Sequence, residues 1–219
     1  MPVGNPHVVK AIIATLRNDP LVSPVALRFM VKNTLEYAKR NYGLDGVGDE
    51  ASLDEVEKIL LDAAEKYPCE EALTYGIAKG ESLIEGSSGI VARRVAKKVP
   101  GVLVRSLGLL DMFKDSNGLY DCLARYKAFL VKIGLIKDED MIIVDQGDKV
   151  QVKLGGRCNY INACTALSKE GVSNIFGEVV CTRLITLAGI AETALNRNFD
   201  IKVTTYNPPN CEGIVFEIA

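Results

Sequence analysis

The apolar pattern of this chain changes period once, and that change constrains its fold more than any other feature. As far as Gly134 the apolar residues recur three and four positions apart, as on one face of a helix; beyond it they first alternate with polar ones, as in a half-buried strand. Helical signals fill the first part. Ser23-Pro24 offers an N-cap serine with proline at the first helical position. Leu27, Met30, Val31, Leu35 and Ala38 then follow at helical spacing until Gly43. The loop from Gly43 to Glu50 has neither the Lys-Ser/Thr ending of a phosphate-binding loop nor the ligand spacing of an EF-hand, and reads as a surface loop. Ser52-Leu53-Asp54-Glu55 is a capping box, in which serine and glutamate satisfy each other's free backbone N–H groups. Val56, Ile59, Leu60 and Ala63 continue it as a buried stripe, and Pro68 interrupts the run. Further helical runs are expected over residues 70–85 and 89–98, joined by a turn at 86–89 and stopped by Pro100-Gly101. Ser116 is expected to cap another, carrying Leu119, Leu123, Tyr126, Leu130 and Ile133.

After the change of period, Met141–Val144 and Lys149–Leu154 read as strands joined by the turn Asp145-Gln146-Gly147-Asp148. A short helix is expected around Tyr160–Lys169 and a long one from about Ser173 to Arg197, with Ile175, Val179, Leu184, Leu187 and Ala191 on a broad apolar face. Phe199, Ile201 and Val203 alternate with polar residues as a third strand. Asn207-Pro208-Pro209-Asn210 turns the chain, and Gly213–Ile218 reads as the last strand. Helices first, then four strands around two more helices, predict an α+β fold: N-terminal helices plus a mainly antiparallel four-stranded sheet packed against helices. The expected organisation is a single domain over 1–219, with an N-terminal arm (1–22), a mainly helical half (23–135) and an α+β module (136–219) bearing a cysteine cluster.

With 219 residues, 48% of them apolar and 25% charged, the chain can bury a substantial core. A net charge of −2, no tryptophan and only 6% aromatic residues leave neither a basic footprint nor a stacking platform, so nucleic-acid binding is not expected. The most apolar long stretch, Val179–Leu195, is broken by Arg183 and Glu192, so no membrane span is expected. Met1-Pro2-Val3-Gly4-Asn5-Pro6-His7 does not read as a signal peptide, and a cytoplasmic location is expected.

Six cysteines stand at positions 69, 122, 158, 164, 181 and 211, and in such a chain free thiols are the default. Cys69 and Cys122 lie on helical patterns and read as core. The other four fall in the last third of the chain, from Gly155 onward. On this reading Cys158 follows a strand, Cys181 lies in the first turns of the long helix and Cys211 precedes the last strand. Helix and strand ends meet at sheet edges, so these three could converge, and a thiolate cluster suits zinc. Against that, there is no C-x-x-C, the one histidine, His7, is far off, and free cysteines commonly pack as small apolar residues. Packing is the favoured reading. Cys158, Cys164, Cys181 and Cys211 are the candidate ligands if zinc is the cofactor.

Gly177-Glu178-Val179-Val180-Cys181, a helix through Ala188-Gly189, a strand, and Pro209-Asn210-Cys211-Glu212-Gly213 together resemble the 4-vinyl reductase domain. That family also supplies the aromatic-sensing module of phenol-responsive bacterial activators, and its fold is similar to small subunits of the TRAPP vesicle-tethering complex. The run Ala72-Leu73-Thr74-Tyr75-Gly76-Ile77-Ala78-Lys79-Gly80 fits the helical half more loosely; the resemblance is strongest over residues 148–219 and weaker over 23–135. It implies a domain that binds a small hydrophobic molecule, commonly as a homodimer. In the phenol sensors three cysteines and a glutamate hold zinc, and Cys181 and Cys211 match the first and last of those cysteines. The strand between them departs from the pattern. Thr204 and Asn207 stand where a glutamate and a further cysteine are expected, so that zinc site does not carry over whole. Tyr75, Tyr126, Phe129 and Leu184, on apolar helix faces, are the expected ligand wall.

Enzymatic readings find less support. A single histidine leaves no Ser-His-Asp or Cys-His arrangement close at hand, and no G-x-S-x-G, dinucleotide or Walker motif is present. Cys181 near a helix N-terminus would be activated, while burial would oppose this. Glu170, Glu178 and Glu192 are candidate acids or bases but read more simply as surface carboxylates, and Arg93, Arg94, Lys97 and Lys98 as a solvated face. The expected function is binding of a small hydrophobic molecule with a regulatory or sensory role. The alternatives are a homodimeric interaction or scaffolding protein and a cysteine- or metal-dependent enzyme.

Overall fold

A computed structural model describes residues 4–45, 48, 50–84, 89–172 and 181–218. Its chain divides into two units, Met1–Ala96 with Asn159–Val179, and Lys97–Cys158 with Val180–Ala219. The described residues form the expected α+β combination, eight α-helices and one four-stranded antiparallel sheet packed against helices.

The first unit holds α1 (Pro6–Asn18), α2 (Pro24–Tyr42), α3 (Leu53–Ala63), α4 (Cys69–Ser82), the start of α5 (Ile90–Ser106) and α7 (Ile161–Lys169). Where the sequence reading has an arm, α1 forms. The Asn5 side chain accepts the N–H groups of His7 and Val8, Pro6 supplies the first helical φ, and Val9, Ile12, Ile13 and Leu16 are buried. Helices α2 and α3 start as their sequences predict, on Ser23 and on the Ser52–Glu55 capping box. Gly43 closes α2 in the left-handed region, and Pro68 precedes α4. Within the run Gly76-Ile77-Ala78-Lys79-Gly80 the two glycines let α2 lie almost against the α4 backbone. A Cβ on Gly80 would stand 2.5 Å from the Met30 nitrogen, and one on Gly76 would overlap the Thr34 hydroxyl.

The second unit holds the rest of α5, α6 (Gly118–Lys132), α8 (Thr182–Leu195) and β1 (Met141–Asp145), β2 (Lys149–Leu154), β3 (Phe199–Thr205) and β4 (Cys211–Glu217). The sheet order is β1-β2-β4-β3, every neighbour antiparallel. Val150, Val152, Leu154, Phe199, Ile201 and Val215 are buried, while Ile142 and Val144 on the edge strand are exposed. Leu184 of α8 fills the space above Gly213, 2.8 Å from where a Cβ would stand.

Three local expectations are corrected. Pro100 does not end its helix: α5 runs on to Ser106. Proline removes one backbone bond and crowds the preceding turn, but here α8 packs tightly alongside. A Cβ on Gly189 would overlap the Lys97 carbonyl and lie 3.3 Å from Pro100 Cγ. Ser116 does not cap α6, which starts at Gly118 after Asn117; the Asn117 N–H donates to Asp121 instead, at 2.9 Å. The last strand starts at Cys211 rather than Gly213, because Leu154 and Cys211 pair across the β2–β4 ladder. The expected turn residues 86–88, part of the 43–50 loop (46, 47 and 49) and the start of the long helix (173–180, with Ile175, Glu178 and Val179) lie outside the described residues.

Candidate functional site

Two of the four candidate cysteines meet. Cys181 occupies the N-cap position of α8 with extended backbone, its side chain making no cap bond, and Cys211 opens β4. Both are buried, 4% and 3% exposed. The Cys181 thiol donates to the Cys211 sulfur, which also accepts the Asn207 N–H and lies within the field of the Arg183 guanidinium; together these hold the Cys211 thiol below the ordinary thiol range although burial opposes them. Arg183, one residue into α8, donates to the Gly155 carbonyl at 2.9 Å and to the Pro209 carbonyl at 3.3 Å. It thereby ties the end of β2 and the turn before β4 to the start of α8, the ends that carry the two thiols.

The other two candidates are placed differently. Cys158 is half-buried at the end of the segment that follows β2, and Cys164 is buried on α7, within the first unit. Among the described residues no group of three or more His, Cys, Asp or Glu side chains is positioned to hold a metal ion. Cys181 and Cys211 supply two thiolates, where a structural zinc site takes four ligands; that set does not fit zinc, and no chemistry is derived through it here. Cys69 and Cys122 are fully buried, and burial pushes each thiol up to about 12.

The proposed ligand wall is divided. In the second unit Val104, Phe113, Cys122 and Ile190 form a buried apolar cluster from α5, α6, α8 and the short turn of helix at Leu110–Phe113. Leu109, Leu110, Met112 and Tyr126 pack around it and are only partly buried. Burial pushes the Tyr126 hydroxyl up to about 12. Phe129 is half-buried one turn further along α6, and Leu184 is fully buried over the sheet. Tyr75 belongs to the first unit. Its ring lies 4.6 Å from that of Tyr37, the Arg40 guanidinium stands 5.6 Å from both rings, and its hydroxyl donates to Glu170 at 2.9 Å. Burial first and then Glu170 raise the Tyr75 pKa.

The carboxylates are more committed than their sequence suggests. Burial alone would raise Glu170, yet the Lys79 ammonium at 2.8 Å and the Tyr75 hydroxyl hold it below the usual range. Glu192 accepts from Lys97 at 2.5 Å and from the Phe199 N–H at 3.1 Å. Neither is a plain surface acid. Arg94 of the expected basic face donates to the buried Asp19 at 2.7 Å, so with Lys97 at least two of its four cations are held in ion pairs.

Sequence reasoning missed three glutamates of α4, all nearly inaccessible. Glu71 accepts the N–H groups of Asn162 and Ala163 at the start of α7, at 2.7 and 3.0 Å, and the Tyr42 hydroxyl at 3.0 Å. Glu81 accepts Val91 N–H at 2.9 Å and Ala92 N–H at 2.7 Å, at the start of α5. Glu70 accepts the Asn5 N–H at 3.2 Å, beside the start of α1, and the Asn159 amide at 3.1 Å. One helix thus satisfies free backbone donors at or beside the starts of three others, where a carboxylate also meets the positive end of the helix dipole. These acids are structural.

No helix among the described residues is long and apolar enough to cross a membrane. Neither a known protein-family model nor a curated protein sequence matches this chain.

Proposed function

We propose that the second unit binds a small hydrophobic molecule, in the manner of the 4-vinyl reductase domains its sequence resembles, and that this binding has a regulatory or sensory role. The observation that supports the reading is the cluster of Val104, Phe113, Cys122 and Ile190, fringed by apolar side chains that stay partly open. Small-molecule sites are apolar with few polar groups, and the Tyr126 hydroxyl would be one such group. The test is titration of the full chain with 1-anilinonaphthalene-8-sulfonate, with native mass spectrometry of the protein as purified. The expected result is saturable binding at one site that Leu110→Gln and Met112→Gln each weaken at least about tenfold, equivalent to ~1.4 kcal/mol. Binding that does not saturate, or that both variants leave unchanged, would refute it.

A second reading, a homodimeric interaction protein, is favoured by one feature. The edge strand β1 exposes Ile142 (49%) and Val144 (42%) beside an open row of backbone donors and acceptors. Sedimentation of the wild type and of Ile142→Lys tests it: a dimer that the substitution dissociates supports it, and a wild-type monomer at all concentrations sinks it.

A further inference from the structure

The thiol pair has a chemistry that ligand binding does not use. Cys181 and Cys211 stand on separate elements of one unit, a helix start and a strand start, with one sulfur donating to the other. Arg183 bridges the segments that bear them through its bonds to the Gly155 and Pro209 carbonyls. A pair already in contact needs only a short approach to reach the ~2.05 Å of an S–S bond. Two groups adjacent to Cys211 favour its thiolate, the Asn207 N–H and the Arg183 cation. Thiolate in an electropositive setting marks a reactive cysteine.

We propose that Cys181 and Cys211 form a redox-responsive dithiol that a hydroperoxide closes to a disulfide. The Cys211 thiolate attacks one peroxide oxygen; the O–O bond breaks and the leaving oxygen takes a proton, giving the sulfenic acid on Cys211 and water or an alcohol. Cys181 then loses its proton and its sulfur attacks the Cys211 sulfur; the S–S bond forms, the S–O bond breaks, and hydroxide leaves with that proton as water. The dithiol is oxidised by two electrons and one hydroperoxide is reduced. A small dithiol restores the pair by exchange, becoming the disulfide itself. Hydrogen peroxide is small enough to reach a sulfur that is a few per cent exposed. Cys69 and Cys122, fully buried with raised thiols, are bystanders. Arg183 is a positioning residue.

The experiment exposes the full chain to hydrogen peroxide, blocks the remaining thiols with N-ethylmaleimide, and maps peptides by mass spectrometry, with metal analysis of the starting protein. The expected product is a disulfide joining Cys181 to Cys211 with the loss of two hydrogens, reversed by dithiothreitol and absent from Cys181→Ser and Cys211→Ser. Its rate should rise with pH and level off below the ordinary thiol range. Arg183→Gln should move that profile to higher pH. Mapping the wild type needs no variant, so a misfolded serine variant leaves the test intact. Three results would overturn the proposal: oxidation of Cys211 to sulfinic acid without any disulfide, oxidation confined to other cysteines, or a stoichiometric zinc ion that shields both thiols.

Discussion

Gly80→Ala is the substitution whose effect the geometry defines most sharply. A methyl at this position would lie 2.5 Å from the Met30 nitrogen, 2.6 Å from Met30 Cα and 2.7 Å from the Phe29 carbonyl carbon. All three are backbone atoms of α2, so no side chain can rotate away. Carbon contacts are favourable only near ~3.5–4.0 Å, so α2 must retreat by about 1 Å along a face that buries Met30, Val31, Leu73 and Ile77. Forcing a methylene-sized group into a packed core costs ~1–3 kcal/mol, and this rigid contact belongs at the upper end. Alanine recovers ~1 kcal/mol of helix propensity. The net loss is then about 2 kcal/mol, or roughly 4–8 °C in Tm for a chain of this size. Urea unfolding followed by circular dichroism reads it directly, with Ala78→Gly on the same helix as the control. That control carries the propensity effect alone, a loss of about 1 kcal/mol. If Gly80→Ala were as stable as the wild type or more so, propensity would outweigh the close approach and the reasoning would be wrong.

Glu71→Ala should lose at least about 3 kcal/mol in the same assay, because the Asn162 and Ala163 N–H groups and the Tyr42 hydroxyl lose a buried acceptor. Glu71→Gln, which keeps one acceptor oxygen, should fall between, and hydrogen exchange at Asn162 and Ala163 should quicken in both; unchanged exchange would show that the cap contributes little. Glu70 supplies a pH test, since burial, followed by the neighbouring Glu71 charge, raises its pKa above 4.5. The unfolded chain therefore binds fewer protons in that window, and the associated stability is present below 4.5 and lost as pH rises through the raised value. Glu70→Gln cannot titrate, so its stability relative to wild type should improve as pH rises through the window; a pH-independent difference would refute the assignment.

Local chemistry was legible wherever one short stretch carries its own instruction. The Ser52–Glu55 box, the Ser23-Pro24 start and the β1–β2 hairpin all formed where their sequences place them, because each is decided by side chains within a few residues of the backbone they satisfy. Pro100 misled for the complementary reason. Its penalty is local, while the packing of Gly189 and Thr193 of α8 against α5 lies some ninety residues away in sequence, and tertiary contact outweighs propensity in such a contest.

The buried glutamates of α4 show where such reading fails in principle. Glu70 and Glu71 sit in the first turn of their helix, where acids commonly compensate its own dipole and face water. Nothing nearby in sequence reveals that Asn159 and the start of α7, about ninety residues on, will supply the donors. A carboxylate's burial is decided by its partners, and those partners are backbone groups that leave no trace in residue type. The cysteines divide on the same principle. Cys181 and Cys211 were legible as neighbours because each flanks a regular element whose end could be read, and the β2–β4 register carries Cys211 to the end of the sheet where Arg183 of α8 bonds the chain. Cys164 was grouped with them only by its place in the sequence, and the chain folds α7 into the first unit. A functional pair that joins a helix start to a strand start is therefore within reach of pattern reading, whereas a four-cysteine set assumes a shared location that periodicity alone never specifies.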